Sequence, residues 1–372
     1  MQPTDRIRED VREFTPYAPG LSMEEIKERY GLARVVKLAS NENPLGASPL
    51  VKRVLARKAD MVFRYPRAGN PALVAALAEA HGVPRGCVVA GNGSDEIIDL
   101  LVRVTCRPGV DNVVAFAPCF SIYVQQTRLC GVTLRQPPLG PDFAFDLPAL
   151  AGACDEKTAL VFLTNPDNPS GHAVPAEEVV ALAKSLPPRA LLVVDEAYVE
   201  FADPEADHSM LPRWGQCDNV VVLRTFSKLY GLAGLRLGLG VMPEWLADYL
   251  LRVRLPFSVN LLAEAAGIAA LEDTPFKQAT LDTVFRGRRL LSEKLAGLGC
   301  RVYPSKANFL MFAPPAPQCG AADVFEALLK RGIIIRALKS YGLPELLRVS
   351  IGNDEENDLF LAAMKDIVEN GF

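Results

Sequence analysis

The chain has 372 residues, 40 basic and 44 acidic side chains, and a formal net charge of −4. Its length makes two to three portions at roughly 150 residues each, and 49% hydrophobic with 23% charged residues is a globular balance that excludes a disordered, collagen-like or coiled-coil chain. The balanced charge offers no broad field for nucleic acid or an anionic bilayer, and there is neither a signal-like start nor a long uninterrupted apolar run, so the expected location is the cytoplasm.

Ser22 followed three residues later by Glu25 is a capping-box pattern for a short helix ending near Gly31. VVKLAS then reads as a strand passing into the polar loop NENPLGASP. Ser48 and Pro49 open the next helix, with Leu50, Val51, Val54 and Leu55 as its apolar face. The loop RYPRAGNP, residues 64–71, leads into another helix that starts at Pro71. From about residue 86, short β-branched runs alternate with helical patterns. CVVAG leads into GSDEIIDLLVRV, NVVAFAP into a Phe-Ser-Ile-Tyr segment, ALVFLTNP into PAEEVVALAKSL, and ALLVVDEAY into a polar loop. NVVVLRTFS and LRLGLGV follow. Several of these strands are apolar at both parities, as expected where helices cover both faces of a mostly parallel sheet.

Residues 243–297 are chiefly helical, with Thr274 as cap and Pro275 as first residue of a long segment. CRVY, NFLMF, GIIIRAL and LLRVSIG, with helices near 321–331 and 355–369, suit a smaller α+β domain. The expected division is an N-terminal arm and part of the small domain over 1–45, a large domain over 46–270 and a small domain over 271–372.

Eight cysteines without a CxxC pair and three histidines without an HExxH spacing read as packing residues, and no metal site is expected. The strongest local signal is TFSKLYGLAGLRLGLG, residues 225–240. An amine such as that of Lys228, held in a dry cavity or near cations, loses its proton and can react with an aldehyde cofactor, while the alternative is a solvated surface lysine. Arg236, with Ser227 and Gly234 nearby, suits a phosphate or else a salt bridge. In LLVVDEAYVEF, Asp195 ends a buried-looking strand, where a carboxylate either keeps a heteroaromatic nitrogen protonated or caps a turn, and Tyr198 offers a hydroxyl. In GNGSDEIID, Gly91 and Gly93 permit a tight turn. The N–H groups of Ser94, Asp95 and Glu96 then point toward a phosphate, or Ser94 simply caps the helix. Asn168 in NPDNPSG either addresses an oxygen on a flat cofactor or belongs to a plain turn, and Phe120 stacks or packs.

NENPLG, YPRAGN, GNGSDE, PCFSIY, NPDNPSG, VVDEAYVEF, RTFSKLYGLAGLRLG, IIIRALKSYGLP and LRVSIG together span almost the whole chain. In this combination the sequence resembles the fold-type I pyridoxal-phosphate aminotransferases, and more closely the histidinol-phosphate aminotransferase family. The resemblance implies an α/β fold, a mostly parallel seven-stranded sheet sandwiched by helices with a smaller α+β domain. It implies pyridoxal 5'-phosphate held by Lys228, with Asp195 on the ring nitrogen, Asn168 and Tyr198 at the phenolic oxygen, and Phe120 over the ring. The cofactor phosphate would meet Ser94, Asp95, Glu96, Ser227 and Arg236, with Tyr65 supplied by the neighbouring subunit of a homodimer. Arg348 would pair with the carboxylate of glutamate, Arg336 and Tyr17 with the substrate phosphate, and Glu42 would line the imidazole side. The implied reaction is amino transfer from L-histidinol phosphate to 2-oxoglutarate, with Lys228 as acid and base. Threonine-phosphate decarboxylase and aromatic aminotransferase are the related alternatives. The sequence departs from the family pattern in YPRAGNP and in having Phe120 where relatives often carry tyrosine.

Overall fold

A strand that is apolar at every position fits only the middle of a layered structure, and all seven residues of Thr158–Thr164 are buried. The computed structural model describes residues 3–12, 14, 21–315 and 319–371. After the two-residue strand β1 (Val36–Lys37), seven strands form the larger sheet: β2 (Val88–Asn92), β3 (Asn112–Ala115), β4 (Thr133–Arg135), β5 (Thr158–Thr164), β6 (Leu191–Asp195), β7 (Val220–Thr225) and β8 (Leu237–Val241). Their spatial order is β2-β8-β7-β6-β5-β3-β4. β8 runs antiparallel to both neighbours, and the remaining pairs are parallel. This is the mostly parallel α/β sheet expected from the sequence.

Alternate residues of the central strands feed two different cores. Val161, Leu163, Leu192, Val194, Val220 and Val222 pack on one face. Leu160, Phe162, Val193, Val221 and Leu223 pack on the other. The helices Ser94–Thr105 and Glu244–Val253 bury Ile97, Leu101, Leu246 and Leu250 into this second layer.

A second, antiparallel sheet contains β9 (Arg301–Val302), β10 (Phe309–Ala313), β12 (Arg336–Ala337) and β13 (Leu347–Ser350), in the order β12-β13-β10-β9. β11 (Ile333–Ile334) instead pairs in parallel with β1, which ties the segment before the NENPLG loop to the C-terminal part of the chain. Helices Ala321–Lys330 and Asp354–Asn370 accompany this α+β portion.

Local chemistry explains several of the helix starts. Ser48 accepts from the N–H groups of Leu50 and Val51, and Pro49 needs no partner for an N–H it lacks. Ser22 accepts from Glu25 N–H, and Gly31 closes that helix at φ 64°. The long helix Thr274–Gly297 differs from the sequence expectation. Its cap is Asp273, whose carboxylate accepts from Phe276 N–H, and Thr274 lies one residue inside. A carboxylate at that position also suits the positive end of the helix, which a threonine hydroxyl does less well.

Candidate active site

The parallel strands β2, β3, β5, β6 and β7 all point their carboxyl ends at one edge of the sheet, the edge where open α/β sheets place ligands. The ends of these strands and the segments that follow them carry Ser94, Phe120, Asn168, Asp195 and Lys228. These five side chains line a single cavity of about 210 Å³. Ser40, Glu42, Asp95, Thr164, Tyr198, Thr225, Ser227 and Arg236 add further polar groups to its wall.

One end of the cavity suits a phosphate. Helix Ser94–Thr105 begins after Gly93 (φ 79°), and no side chain caps it, so Ser94 is its first residue and not its cap. The first-turn N–H groups of that helix therefore remain available to an anion. A Cβ on Gly93 would sit 2.6 Å from Arg236 Nη2, and one on Gly238 would sit 2.3 Å from the Ser94 nitrogen. Only glycine allows β2, β8 and the guanidinium to converge this closely. Arg236, itself at φ 55°, donates from Nη2 to Asp95 Oδ2 at 3.1 Å and from Nη1 to the Ala233 carbonyl at 3.3 Å.

Another part of the wall is built around Asp195, 3% exposed at the tip of β6. Its Oδ1 accepts from Ala197 N–H at 3.1 Å and its Oδ2 from the Tyr123 hydroxyl at 2.8 Å. It forms no ion pair among the described residues, and burial pushes its pKa up to about 6. A buried carboxylate without a cation is costly, and a ligand carrying a protonated ring nitrogen would relieve that cost. Tyr198 accepts from Asn41 Nδ2 at 3.1 Å, and Asn41 in turn contacts Ser350 on β13. Behind the strand ends, buried Arg224 donates to Glu196 at 2.8 Å and to Glu200 at 3.0 Å, joining the chain beyond β6 to β7.

Lys228 lines the same cavity. Its amine donates to the Ser40 carbonyl at 3.1 Å. Burial, with the cations Arg348 and Arg236 adding to it against Glu42 and Asp95, lowers its pKa from 10.5 to about 8. Such an amine is partly neutral near neutral pH and can attack an aldehyde.

The register of the smaller sheet pairs Arg336 directly with Arg348, which sets both side chains on one sheet face. Arg348 is 5% exposed, donates from Nη1 to Asn168 Oδ1, and donates from Nη2 to the Ala39 carbonyl at 2.9 Å. Its Nε has no partner. Arg336 is half-buried, and among the described residues its side chain has no hydrogen-bond or ion-pair partner. Glu42 pairs with Lys37 at 3.0 Å while lining the cavity.

Of the site residues singled out in the sequence, Glu96, Tyr65, Arg336 and Arg348 are not part of the cavity wall. Glu96 accepts from Asn92 N–H at 2.6 Å. Tyr65 is 80% exposed and stacks on Phe257, with ring centroids 4.8 Å apart, outside this chain's own cavity. Tyr17 lies outside the described residues. Sequence reasoning missed Tyr123, Thr164 and Asn41. Tyr123 stood in the quoted PCFSIY run and Asn41 in NENPLG, but the residues they meet are 72 and 157 positions away.

A family model described as aminotransferase class I and II matches residues 33–364. The chain is 59% identical over 368 residues to a histidinol-phosphate aminotransferase of Nitratidesulfovibrio vulgaris (strain DP4), covering 99% of this chain and 98% of that protein. It is 61% identical over 364 residues to one from Oleidesulfovibrio alaskensis, covering 97% and 95%. It also superposes on the crystal structure of histidinol-phosphate aminotransferase from Sinorhizobium meliloti in complex with pyridoxal-5'-phosphate, with a TM-score of 0.88 and 29% identity over 98% of this chain and 97% of that one.

Proposed function

The chain belongs to the histidinol-phosphate aminotransferases of the aminotransferase class I and II family, and from that premise we propose how its own residues carry the reaction. The enzyme transfers the amino group of L-histidinol phosphate to 2-oxoglutarate in histidine biosynthesis, with pyridoxal 5'-phosphate as cofactor. One observation supports this assignment of roles above the others: a buried amine of lowered pKa and a buried carboxylate with no bound cation line one cavity.

When bound, pyridoxal phosphate supplies the aldehyde that combines with amines and the ring that takes up the electron pair freed at the substrate carbon. Lys228 is the residue that would hold it. Asp195 would keep its ring nitrogen protonated by ion pairing, and Asn168 and Tyr198 would address its phenolic oxygen. Phe120 would cover the ring, and Ser94, Asp95, Ser227 and Arg236 would surround its phosphate. Glu96 acts there through its backbone N–H alone, since its side chain is engaged with Asn92.

Lys228 Nζ would take the proton from the amine-bearing carbon of the substrate and, once protonated, would be the acid that delivers it to the cofactor's carbon. Arg348 would pair with the carboxylate of glutamate or 2-oxoglutarate, and its unpartnered Nε supports that role. Arg336, with Tyr17, would receive the phosphate of histidinol phosphate, and Glu42 would line its imidazole side. Two guanidinium groups on one sheet face suit a site that must accept two different anions in turn.

The proposed assembly is a homodimer in which Tyr65 completes the neighbouring subunit's site. The exposure of Tyr65, Phe63, Val62 and Leu255 in one region supports it, because patches of this kind mark interfaces. The proposed division of the chain follows the sheets, with the large domain over 46–270 and the small domain over 271–372 joined by the arm over 1–45. Among the described residues no helix is long and apolar enough to cross a membrane, and the cytoplasm is the proposed location.

The experiment is a panel of histidinol phosphate, phenylalanine, tyrosine and threonine phosphate, each with 2-oxoglutarate, followed for glutamate and for carbon dioxide. Glutamate formed fastest from histidinol phosphate is the expected result. Carbon dioxide from threonine phosphate without amino transfer would select the decarboxylase reading, and preference for phenylalanine or tyrosine the aromatic one.

A further inference from the structure

One of the two hydrogen bonds to the Asp195 carboxylate comes from a side chain that lies outside the cavity wall. Tyr123, on helix Ser121–Leu129, is 1% exposed and stacks on Phe162 of β5, with ring centroids 4.3 Å apart and an interplanar angle of 9°. Its hydroxyl lies 2.8 Å from Asp195 Oδ2 and 2.8 Å from Thr164 Oγ1. An ionised carboxylate only accepts, so the single phenol proton goes to Asp195 and the Thr164 hydroxyl must donate to the phenol oxygen. The result is a directed chain, Thr164 to Tyr123 to Asp195, that runs across β5 and β6, where Thr164 and Asp195 are register partners.

We propose that Tyr123, backed by Thr164, is a positioning residue that keeps Asp195 ionised and aimed for the cofactor's ring nitrogen. This inference rests on the reading of Asp195 as the cofactor's acidic partner. Two hydrogen bonds to Asp195, from Ala197 N–H and from Tyr123, offset part of the burial that raises its pKa to about 6. The other ionisable groups that face it are Asp95, which raises it further, and Lys228, which lowers it. Tyr198 lies nearby with its phenol pushed up by burial and therefore neutral. Glu196, the next residue, is turned to Arg224. Loss of the Tyr123 donor leaves Asp195 with the backbone bond alone, so the carboxyl takes up its proton at higher pH and the ion pair with the ring nitrogen is lost earlier on acidification.

The full-length protein, stripped of cofactor, is titrated with pyridoxal phosphate between pH 5 and 8, following visible absorbance, for wild type, Tyr123→Phe and Thr164→Val. Tyr123→Phe keeps the ring stacking and is expected to raise the dissociation constant about tenfold at pH 7. Its acid limb of binding is expected to move upward by roughly one pH unit. Thr164→Val leaves the phenol in place but removes the donor that polarises it, so the limb moves the same way by less. The second variant also carries the test if the first does not fold. An acid limb unmoved in both variants, even with weaker binding, would assign Tyr123 to packing alone and overturn the proposal. Wild-type protein that takes up no pyridoxal phosphate would overturn the cofactor reading and this inference with it.

Discussion

The carboxyl edge of the larger sheet holds its polar groups in a nearly complete network, whereas the smaller sheet sets two arginines opposite each other in register with few groups to neutralise them. Asp195 has hydrogen bonds to both of its oxygens, and Arg236 has two acceptors. Arg348 meets only neutral acceptors and leaves Nε unpaired, and the Arg336 side chain opposite it has no partner among the described residues. Like charges paired across strands oppose folding unless an anion joins them. The difference teaches a division of labour. Under the proposed assignment, the half that would hold the resident cofactor is set in advance, while the half that would exchange two substrates keeps charge unspent until each arrives.

Substitutions in the two halves should therefore fail in different ways. The largest effect is expected for Lys228→Ala, with turnover down at least about ten-thousandfold because in the proposed mechanism the same nitrogen is anchor, base and acid; steady-state assay with histidinol phosphate measures it. Asp195→Asn should follow, with a loss of roughly a hundred- to a thousandfold in kcat, since an amide cannot stabilise a protonated ring nitrogen by charge. Cofactor absorbance on that variant would separate weak loading from slow chemistry. On the other sheet, Arg336→Ala should lower kcat/KM for the phosphorylated substrate about ten- to a hundredfold while cofactor loading stays near wild type. Equal losses in loading and turnover would erase the distinction between the halves.

The smallest effect concerns pH. A lysine lowered from 10.5 to about 8 gains reactive amine as pH rises through that value. About one amine in eleven is neutral at pH 7 and ten in eleven at pH 9, so uptake of pyridoxal phosphate by the cofactor-free protein should quicken roughly tenfold between them. Stopped-flow absorbance reads this directly. A flat profile would place the amine in a different environment from the one described.

The same division governs what could be read in advance. The larger sheet was legible because each strand and the loop that leaves it are contiguous in sequence. ALLVVDEAY carries both the buried run and the carboxylate at its end, and TFSKLYGLAGLRLG carries both Lys228 and Arg236. Apolar residues at both parities announced a sheet covered on two sides, and the two cores fill from alternate residues. Helix starts were legible where one side chain decides them, as at Ser48. At the long helix the adjacent Asp273 and Thr274 compete for the same N–H group, and the carboxylate wins.

What stayed hidden depends on contacts between distant segments. No spacing in the sequence discloses that Arg336 and Arg348 share a register, because a shift of one residue would have sent them to opposite faces. Tyr123 has the pattern of an ordinary core aromatic on its helix, and only the stacking on Phe162 delivers its hydroxyl to Asp195. Asn41 reaches Tyr198 through a backbone at φ 54°, a conformation asparagine tolerates better than most residues.

Every assignment in the cavity depends on the nitrogen of Lys228 being the one that bonds the cofactor. Holoenzyme reduced with borohydride, digested and analysed by mass spectrometry should carry the pyridoxyl mass on the peptide that contains Lys228 and on no other. The same mass on a different lysine, or a cofactor that washes away after reduction, would contradict the account.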